Sequence, residues 1–572
     1  GNYIQLLNNA TAVNATTASF DGKTGASATV AQNMAIEDKI VHKLDNASAG
    51  LVRVKAGELF VTANSGSIQR AVDNSASSDT VYAQAGTYGE SVTINSAITV
   101  IGAQQGVAGW ESARGSSETV IQGKLTVTTN ATVDGVMLTK PSTATNTGTG
   151  MNFTGWDGIN VVATNGAVIR NSVVEAYGAH GGFGGSGFVS LGAGGATFES
   201  NKVSAGAGYT AASDDRGVAS VEVKGSGTHV IRGNQLLVST NNADAVNIFN
   251  GTATVDNNQI SGVDGGIVAY AGFTGVTITN NTVSNYNDNG IRVFNHTGTA
   301  AATVDIRGNT VTGVNPLLVD TNTNLQYVIG SEAAAPVTTT SQLLAMLSGN
   351  SGISQMKAAY FVSWAPQSFS IDGVSVTGAY VGTASDDTIS ASTGTNILIA
   401  GAGNDTMSGG SATDVVSFSG NYSGYTLGYS GNTVTVSGPD GNDSVTSVET
   451  LQFADKRVHV VGSAVGSANT TINQGISAAS TGDVVMVAAG TYAETLSISK
   501  AVTVLGAKQG VAGSASSRGS DETTIQGKVT ITTNAVLDGV TVTKPSTSTN
   551  TGSNINFTGW DGVSVAASNG AV

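Results

Sequence analysis

Across 572 residues the chain carries 76 glycines against 6 prolines, no cysteine, and a net charge of −15 on only 11% charged side chains. The acidic balance excludes phosphate-rich partners, nucleic acid and bare anionic lipid alike, and the missing cysteines exclude disulfides and thiolate metal sites. No apolar run is long enough to span a membrane, whereas Gly, Asn and β-branched residues in short apolar runs suit many strands joined by tight turns.

Residues 1–66 read as an N-terminal segment. Within it Ile36, Ile40 and Leu44 fall on one helical face, with Glu37 and Asp38 early and Lys43 late, as the helix dipole prefers. This predicts a short amphipathic helix over 36–44 packed on the end of a larger core, with a partner-binding helix as the alternative. Ser67 is placed to cap a second short helix over 68–72. Strand-like runs follow at 80–83, 91–94, 98–101, 120–122 and 125–127.

A looser period continues the pattern: an apolar residue, then Asn, then another apolar residue. It runs through Asn171, Asn201, Asn234, Asn258, Asn281 and Asn309, in steps of 30, 33, 24, 23 and 28 residues. At Asn171 the amide stands one place early relative to its strand. Such steps suit a parallel β-helix of about three short strands per coil. Asn at one corner then takes left-handed geometry and bonds to the next coil, building a ladder inside the turn. The Gly-rich stretch 181–187 lacks the Lys-Ser/Thr end of a phosphate loop and reads as an excursion from one coil.

Residues 67–168 return without a gap as 471–572 at a constant offset of 404, Gly86 answering Gly490. The second copy stops in mid-repeat at Val572, so a longer tandem array is expected. Ala85-Gly86-Thr87-Tyr88-Gly89-Glu90, its copy from Ala489, and Ile98-Thr99-Val100-Ile101-Gly102 resemble right-handed β-helix proteins of the pectin-lyase-like superfamily. The resemblance implies β-helices over 67–330 and 461–572; it speaks to fold, not to activity. Between them, 331–380 is a connecting segment in which 340–347 looks helical and able to cover a solenoid end.

Residues 382–417 divide into four consecutive nonapeptides. Asp387, Asn396, Asp405 and Asp414 hold the sixth place of each, and Ile389, Leu398, Met407 and Val416 the eighth. The spacing resembles that of the RTX, or hemolysin-type, calcium-binding repeat, and the resemblance implies that two nonapeptides make one coil of a parallel β-roll, with Asp387 over Asp405 and Asn396 over Asp414. Gly401 and Gly403 open the turn so that carbonyl oxygens join the carboxylates, and an oxygen-only donor set selects Ca²⁺. Unneutralised, the stacked acids would repel, so folding should depend on calcium. Within the repeat, Thr383, Ser385, Ala391, Ser392 and Ala412 stand where glycines are expected. A hairpin over 425–437 and a closing segment over 448–455 complete an RTX module at 381–460. The resemblance further implies type I secretion and folding in extracellular calcium.

The fold class expected is therefore all-β: right-handed parallel β-helix solenoids with an intervening RTX β-roll. The function expected is a secreted, calcium-dependent structural or adhesive bacterial surface protein that self-associates into a filament, layer or matrix. The competing reading is a polysaccharide lyase or epimerase working in the β-helix groove. Its nearest candidates are Asp214, Asp215 and Arg216, with His180 or Tyr209 nearby. No residue is assigned a catalytic role. The histidines at 42, 180, 229, 296 and 459 have no metal-binding spacing, and the Gly155-Trp156-Asp157-Gly158 run reads as a coil closure before a sugar platform.

Overall fold

The computed structural model describes every residue except 9–10, 65, 140–160, 177–186, 206–217, 238–242, 262–263, 297–299, 314, 363–364, 432, 463–468, 544–562 and 566–570. The chain divides into two compact units: 1–336 with 349–353 and 361–364, and 337–348 with 354–360 and 365–572.

In the first unit, helix α1 runs Val30–Glu37, not 36–44. Thr29 and Gln32 form a reciprocal capping box that fixes the start, and Asp38 ends the helix. Ile40 instead lies on a strand paired with Ile4. Ile36, Ile40 and Leu44 are all buried, so the apolar stripe was core, reached by a different local structure. Helix α2, Ile68–Asp73, is capped by Ser67 as expected.

From there the chain coils into a parallel β-helix. One face stacks nine strands in order from Gly86–Tyr88 through Thr119–Gln122 and Val136–Thr139 to Thr310–Thr312. On another face, successive parallel registers align Val92, Leu125, Val161, Val189, Val221, Val246, Ile267, Ile291 and Leu317. All nine are buried. At roughly 1.5–3 kcal/mol per buried aliphatic side chain, this column is a principal source of stability.

The predicted asparagine ladder is present. The backbone N–H of Asn201 donates to Asn234 Oδ1, Asn234 to Asn258, Asn258 to Asn281, and Asn281 to Asn309, at 2.9–3.0 Å. Asn309 extends it to Asn350 at 3.0 Å. Two details differ from expectation. The left-handed corner is not the ladder residue but the one before it: Ser200, Gly233, Asn257, Asn280 and Gly308 have φ of 56°, 62°, 54°, 57° and 68°. Asn171 is itself such a corner (φ 51°), and Ser172 takes the ladder place, its N–H donating to Asn201 Oδ1 at 2.9 Å. One residue turns the chain and its neighbour ties the coils.

The second unit opens with α3, Thr340–Ser348, at the helical stretch expected. The nonapeptides then form two parallel stacks. Gly378–Val381, Asn396–Ile399, Val415–Ser417 and Thr450–Gln452 pair in that order. Thr388–Ser390 pairs with Thr406–Ser408, which pairs with Gly441–Thr446. The expected hairpin is Thr426–Ser430 against Thr433–Gly438. Thr450–Gln452 then folds back on Arg457–Val461, and that strand pairs in parallel with Val484–Val487 of the second β-helix. Helix α4, Ile472–Ala478, and the registers that follow repeat the first copy, with Leu496 opposite Val529 as Val92 is opposite Leu125.

Replacing Asn258 by Ala removes the acceptor for both the N–H and the Nδ2 of Asn234 and the donor to Ile231 O. Leaving those buried groups unpaired should cost about 3 kcal/mol. Asn257→Gly at the left-handed corner should change stability by less than about 1 kcal/mol. Denaturant unfolding of the two variants side by side checks this.

Candidate calcium site

The sixth-place side chains stack as predicted, and the structure lengthens each stack by one member. The N–H of Asp387 donates to Asp405 Oδ1 at 2.7 Å, and that of Asp405 to Asp443 Oδ1 at 2.9 Å. In the second stack the N–H of Asn396 donates to Asp414 Oδ1 at 2.9 Å, and that of Asp414 to Glu449 Oε2 at 2.6 Å. Asp405, Asp414, Asp443 and Glu449 are all buried. Burial raises the carboxyls of Asp414 and Asp443. Asp405 is pushed to about 6, chiefly by burial; the bond from Asp387 N–H opposes this, and the neighbouring charges of Asp443, Asp387 and Asp386 add to it.

The two stacks are not chemically equal. Asn396 Nδ2 donates to Asp414 Oδ1 at 2.8 Å, and Asp414 Oδ2 takes the N–H of Gly410 at 2.6 Å, so that pair is satisfied by hydrogen bonds. Asp387 Oδ2 is likewise held by Thr383 N and Oγ1. Asp405 Oδ2 is buried with no hydrogen-bond partner. A buried, unpartnered carboxylate oxygen costs several kcal/mol unless a cation meets it. Gly401 and Gly403 beside it have φ of 100° and 128°, and a Cβ on Gly401 would lie 1.8 Å from Thr383 O. The turn is therefore lined by backbone that no side chain could approach. An all-oxygen donor set of carboxylates and carbonyls fits Ca²⁺, with Asp387, Asp405, Gly401 and Gly403 as the residues that would hold it. Among the described residues no three acidic or histidine side chains converge on one point, so carbonyl ligands are needed to complete such a site.

Other candidates fare differently. Asp214, Asp215, Arg216, His180, Tyr209 and Trp156 lie outside the described residues. Several charges shared by the two copies have structural work. Glu90 and Glu494 each accept the first N–H groups of the helix before them, Ile68 and Ile472. Arg114 and Arg518 each clasp a glutamate four residues on and donate to carbonyls of the coil, Val107 and Val511 among them. His42 is buried against Glu37 at 2.6 Å while its Nδ1 accepts the N–H of Val52, so Nε2 carries the proton that Glu37 receives.

One ionisable cluster in the first unit escaped sequence reading. Phe249 stacks on Tyr270, which tilts against Phe294, and Arg292 lies 4.5 Å over the Phe294 ring. Tyr270 Oη donates to Asp244 Oδ2 at 3.2 Å. Asp244 is pushed up to about 6 by burial, with Arg292 and the Tyr270 hydroxyl opposing the shift and Asp264 adding to it. These residues come from successive coils of unequal length, so no fixed spacing announces them.

With this geometry in place, the comparisons are specific. Residues 157–330 match the profile of the right handed beta helix region, and residues 381–416 match four copies of the RTX calcium-binding nonapeptide repeat. The chain thus combines a right-handed parallel β-helix with RTX repeats. No curated protein matches it. Among solved structures, the PL6 family alginate lyase AlyGC and a point mutant of it are 13% and 14% identical. Each comparison covers 85% of this chain and 71% of that one, with TM-scores of 0.20 and 0.22. Likeness at that level carries no weight for activity. No helix among the described residues is long and apolar enough to cross a membrane.

Asp244 supplies a pH test. Its folded-state carboxyl sits above its ordinary value of 3.8, so stability present below about pH 4 is lost as pH rises through about 6. Asp244→Asn should remove that loss, gaining on the order of 2–3 kcal/mol at pH 7.5 relative to wild type and nothing at pH 4. Thermal unfolding of the first unit across that range checks it.

Proposed function

We propose that the chain is part of a secreted, calcium-dependent structural protein of the bacterial surface, whose rods associate into a filament, layer or matrix. Calcium is the folding trigger: it neutralises the Asp387–Asp405 stack and lets the RTX roll form outside the cell. One observation carries the reading. The roll is continuous with the second β-helix, because Arg457–Val461 pairs with Thr450–Gln452 on one side and Val484–Val487 on the other. Leu398, Val416, Leu451, Val458, Val460, Val484 and Met486 share one hydrophobic cluster. A roll that folds only with calcium would then govern the start of the next rod. RTX repeats support export through a type I channel, and tandem solenoids support surface-building over turnover.

Light scattering of the purified chain in calcium and then in chelator tests this. Growth to large particles with calcium, reversed by chelator, is the expected result; a monomer in both conditions would remove self-association from the reading. The enzyme alternative is read in the sequence on Asp214, Asp215 and Arg216, which lie outside the described residues; among the described ones it draws on Asp244, Tyr270 and Arg292. Turnover of an acidic polysaccharide that Arg292→Ala abolishes would put it in place of the structural reading.

A further inference from the structure

We propose that the calcium stack extends past the four nonapeptides to a second site between Asp405 and Asp443, on a fifth repeat hidden behind the hairpin. Residues 438–446 spell Gly-Pro-Asp-Gly-Asn-Asp-Ser-Val-Thr. Laid on 400–408, they match at the fourth, fifth and sixth places: Gly403 with Gly441, Asn404 with Asn442, Asp405 with Asp443. The eighth-place apolar residues, Met407 and Val445, face each other in the strand register. The 20 residues 418–437 interrupt the repeat with the hairpin, which stretches the spacing from 18 residues to 38.

The coil-to-coil geometry is nevertheless the same. Asp387 N–H meets Asp405 Oδ1 at 2.7 Å, and Asp405 N–H meets Asp443 Oδ1 at 2.9 Å. Asn404 N–H meets Asp386 Oδ1 at 2.8 Å, and Asn442 N–H meets Asn404 Oδ1 at 3.0 Å. Gly441 repeats the left-handed turn of Gly403, with φ of 138° against 128°. A Cβ on Gly441 would fall 1.6 Å from Gly403 O, so the turn again admits only bare backbone, carbonyls foremost. Between the two coils stands the buried Asp405, whose Oδ2 has no hydrogen-bond partner, with the buried Asp443 on one side and Asp387 on the other. Three successive carboxylates in one column, each one coil apart, provide two gaps for a hard divalent cation. The Asn396–Asp414 gap differs, because an amide already bridges it.

The inference rests on reading the nonapeptide stack as a calcium site, and the test separates the two. The full chain is titrated with calcium by calorimetry, and bound ions are counted by native mass spectrometry. Asp443→Asn should bind one ion fewer than wild type while keeping the ion held by Asp387 and Asp405; Asp387→Asn should lose the other. Asn is tolerated in such a stack, since Asn396 occupies the equivalent place, buried and hydrogen-bonded. If Asp443→Asn nonetheless unfolds by circular dichroism, Asp443→Glu takes its place, with one ion weakened by about tenfold or more and the rest unchanged. An unaltered count and affinity in the folded Asp443 variant would overturn the second site and leave the first standing. A wild-type chain that binds no calcium would overturn both.

Discussion

A single hydrogen bond recurs through both kinds of solenoid: the backbone N–H of a ladder residue donates to the side-chain oxygen of its counterpart one coil on. In the first β-helix the acceptor is an amide, as from Asn234 to Asn258; in the roll it is a carboxylate, as from Asp387 to Asp405. The geometry is nearly the same and the electrostatics are opposite. An amide returns a donor, so Asn234 Nδ2 bonds Asn258 Oδ1 at 2.9 Å and the ladder is neutral and closed. A carboxylate has no donor to return, so each added coil adds a buried negative charge. One column is finished by its own hydrogen bonds, and the other leaves a buried carboxylate oxygen, Asp405 Oδ2, that a cation would satisfy. The Asn396–Asp414 pair, half of each kind, shows the amide solution operating inside the roll.

The internal duplication helps to separate structural charge from charge available for function. Glu90 with Glu494 and Arg114 with Arg518 keep not only their identity but their partners. Asp134 and Asp538 each accept the N–H of a glycine, Gly106 and Gly510. Charges so engaged are scaffolding, and they weaken any argument that shared acids mark a duplicated groove. Trp110 is the contrasting case: it is 39% exposed, its indole donates to Gly233 O, and its counterpart is Ser514.

Much of the fold was legible because its periods are strict. A nine-residue repeat with an apolar eighth place leaves little freedom in how coils stack, and short alternating runs mark strands by themselves. What escaped was local or interrupted. The helix over 36–44 was read from an amphipathic stripe, whereas Thr29-Val30-Ala31-Gln32 carried the stronger signal, a capping box. The left-handed corner was assigned to the ladder asparagine because Asn suits both roles; only the backbone separates Asn257 at the corner from Asn258 in the ladder. Asp443 was missed because a hairpin divides its repeat from the other four, and Asp244, Tyr270 and Arg292 because burial and three separate coils, not spacing, bring them together.

The two copies also show what a β-helix needs in order to begin. The first starts on Glu58–Val61, which pairs with Thr80–Ala83; the second starts on Arg457–Val461, which pairs with Val484–Val487. The founding strands lie on different cores, one built around Phe20, Met34 and Ile40, the other the core of the RTX roll. The copies diverge where they meet those platforms. Phe60 stacks on Tyr82 in the first, while Val460 faces Met486 in the second. An exposed parallel edge of about four residues is therefore enough to found the coil, because every later strand finds its donors and acceptors on the strand before it. The platform decides only the conditions. A platform held by aliphatic and aromatic packing needs no ion, whereas under the proposed function the one that carries stacked carboxylates forms when a divalent cation neutralises them. The same rod is thus written twice, once on a base of apolar and aromatic packing and once on a base that also carries stacked carboxylates.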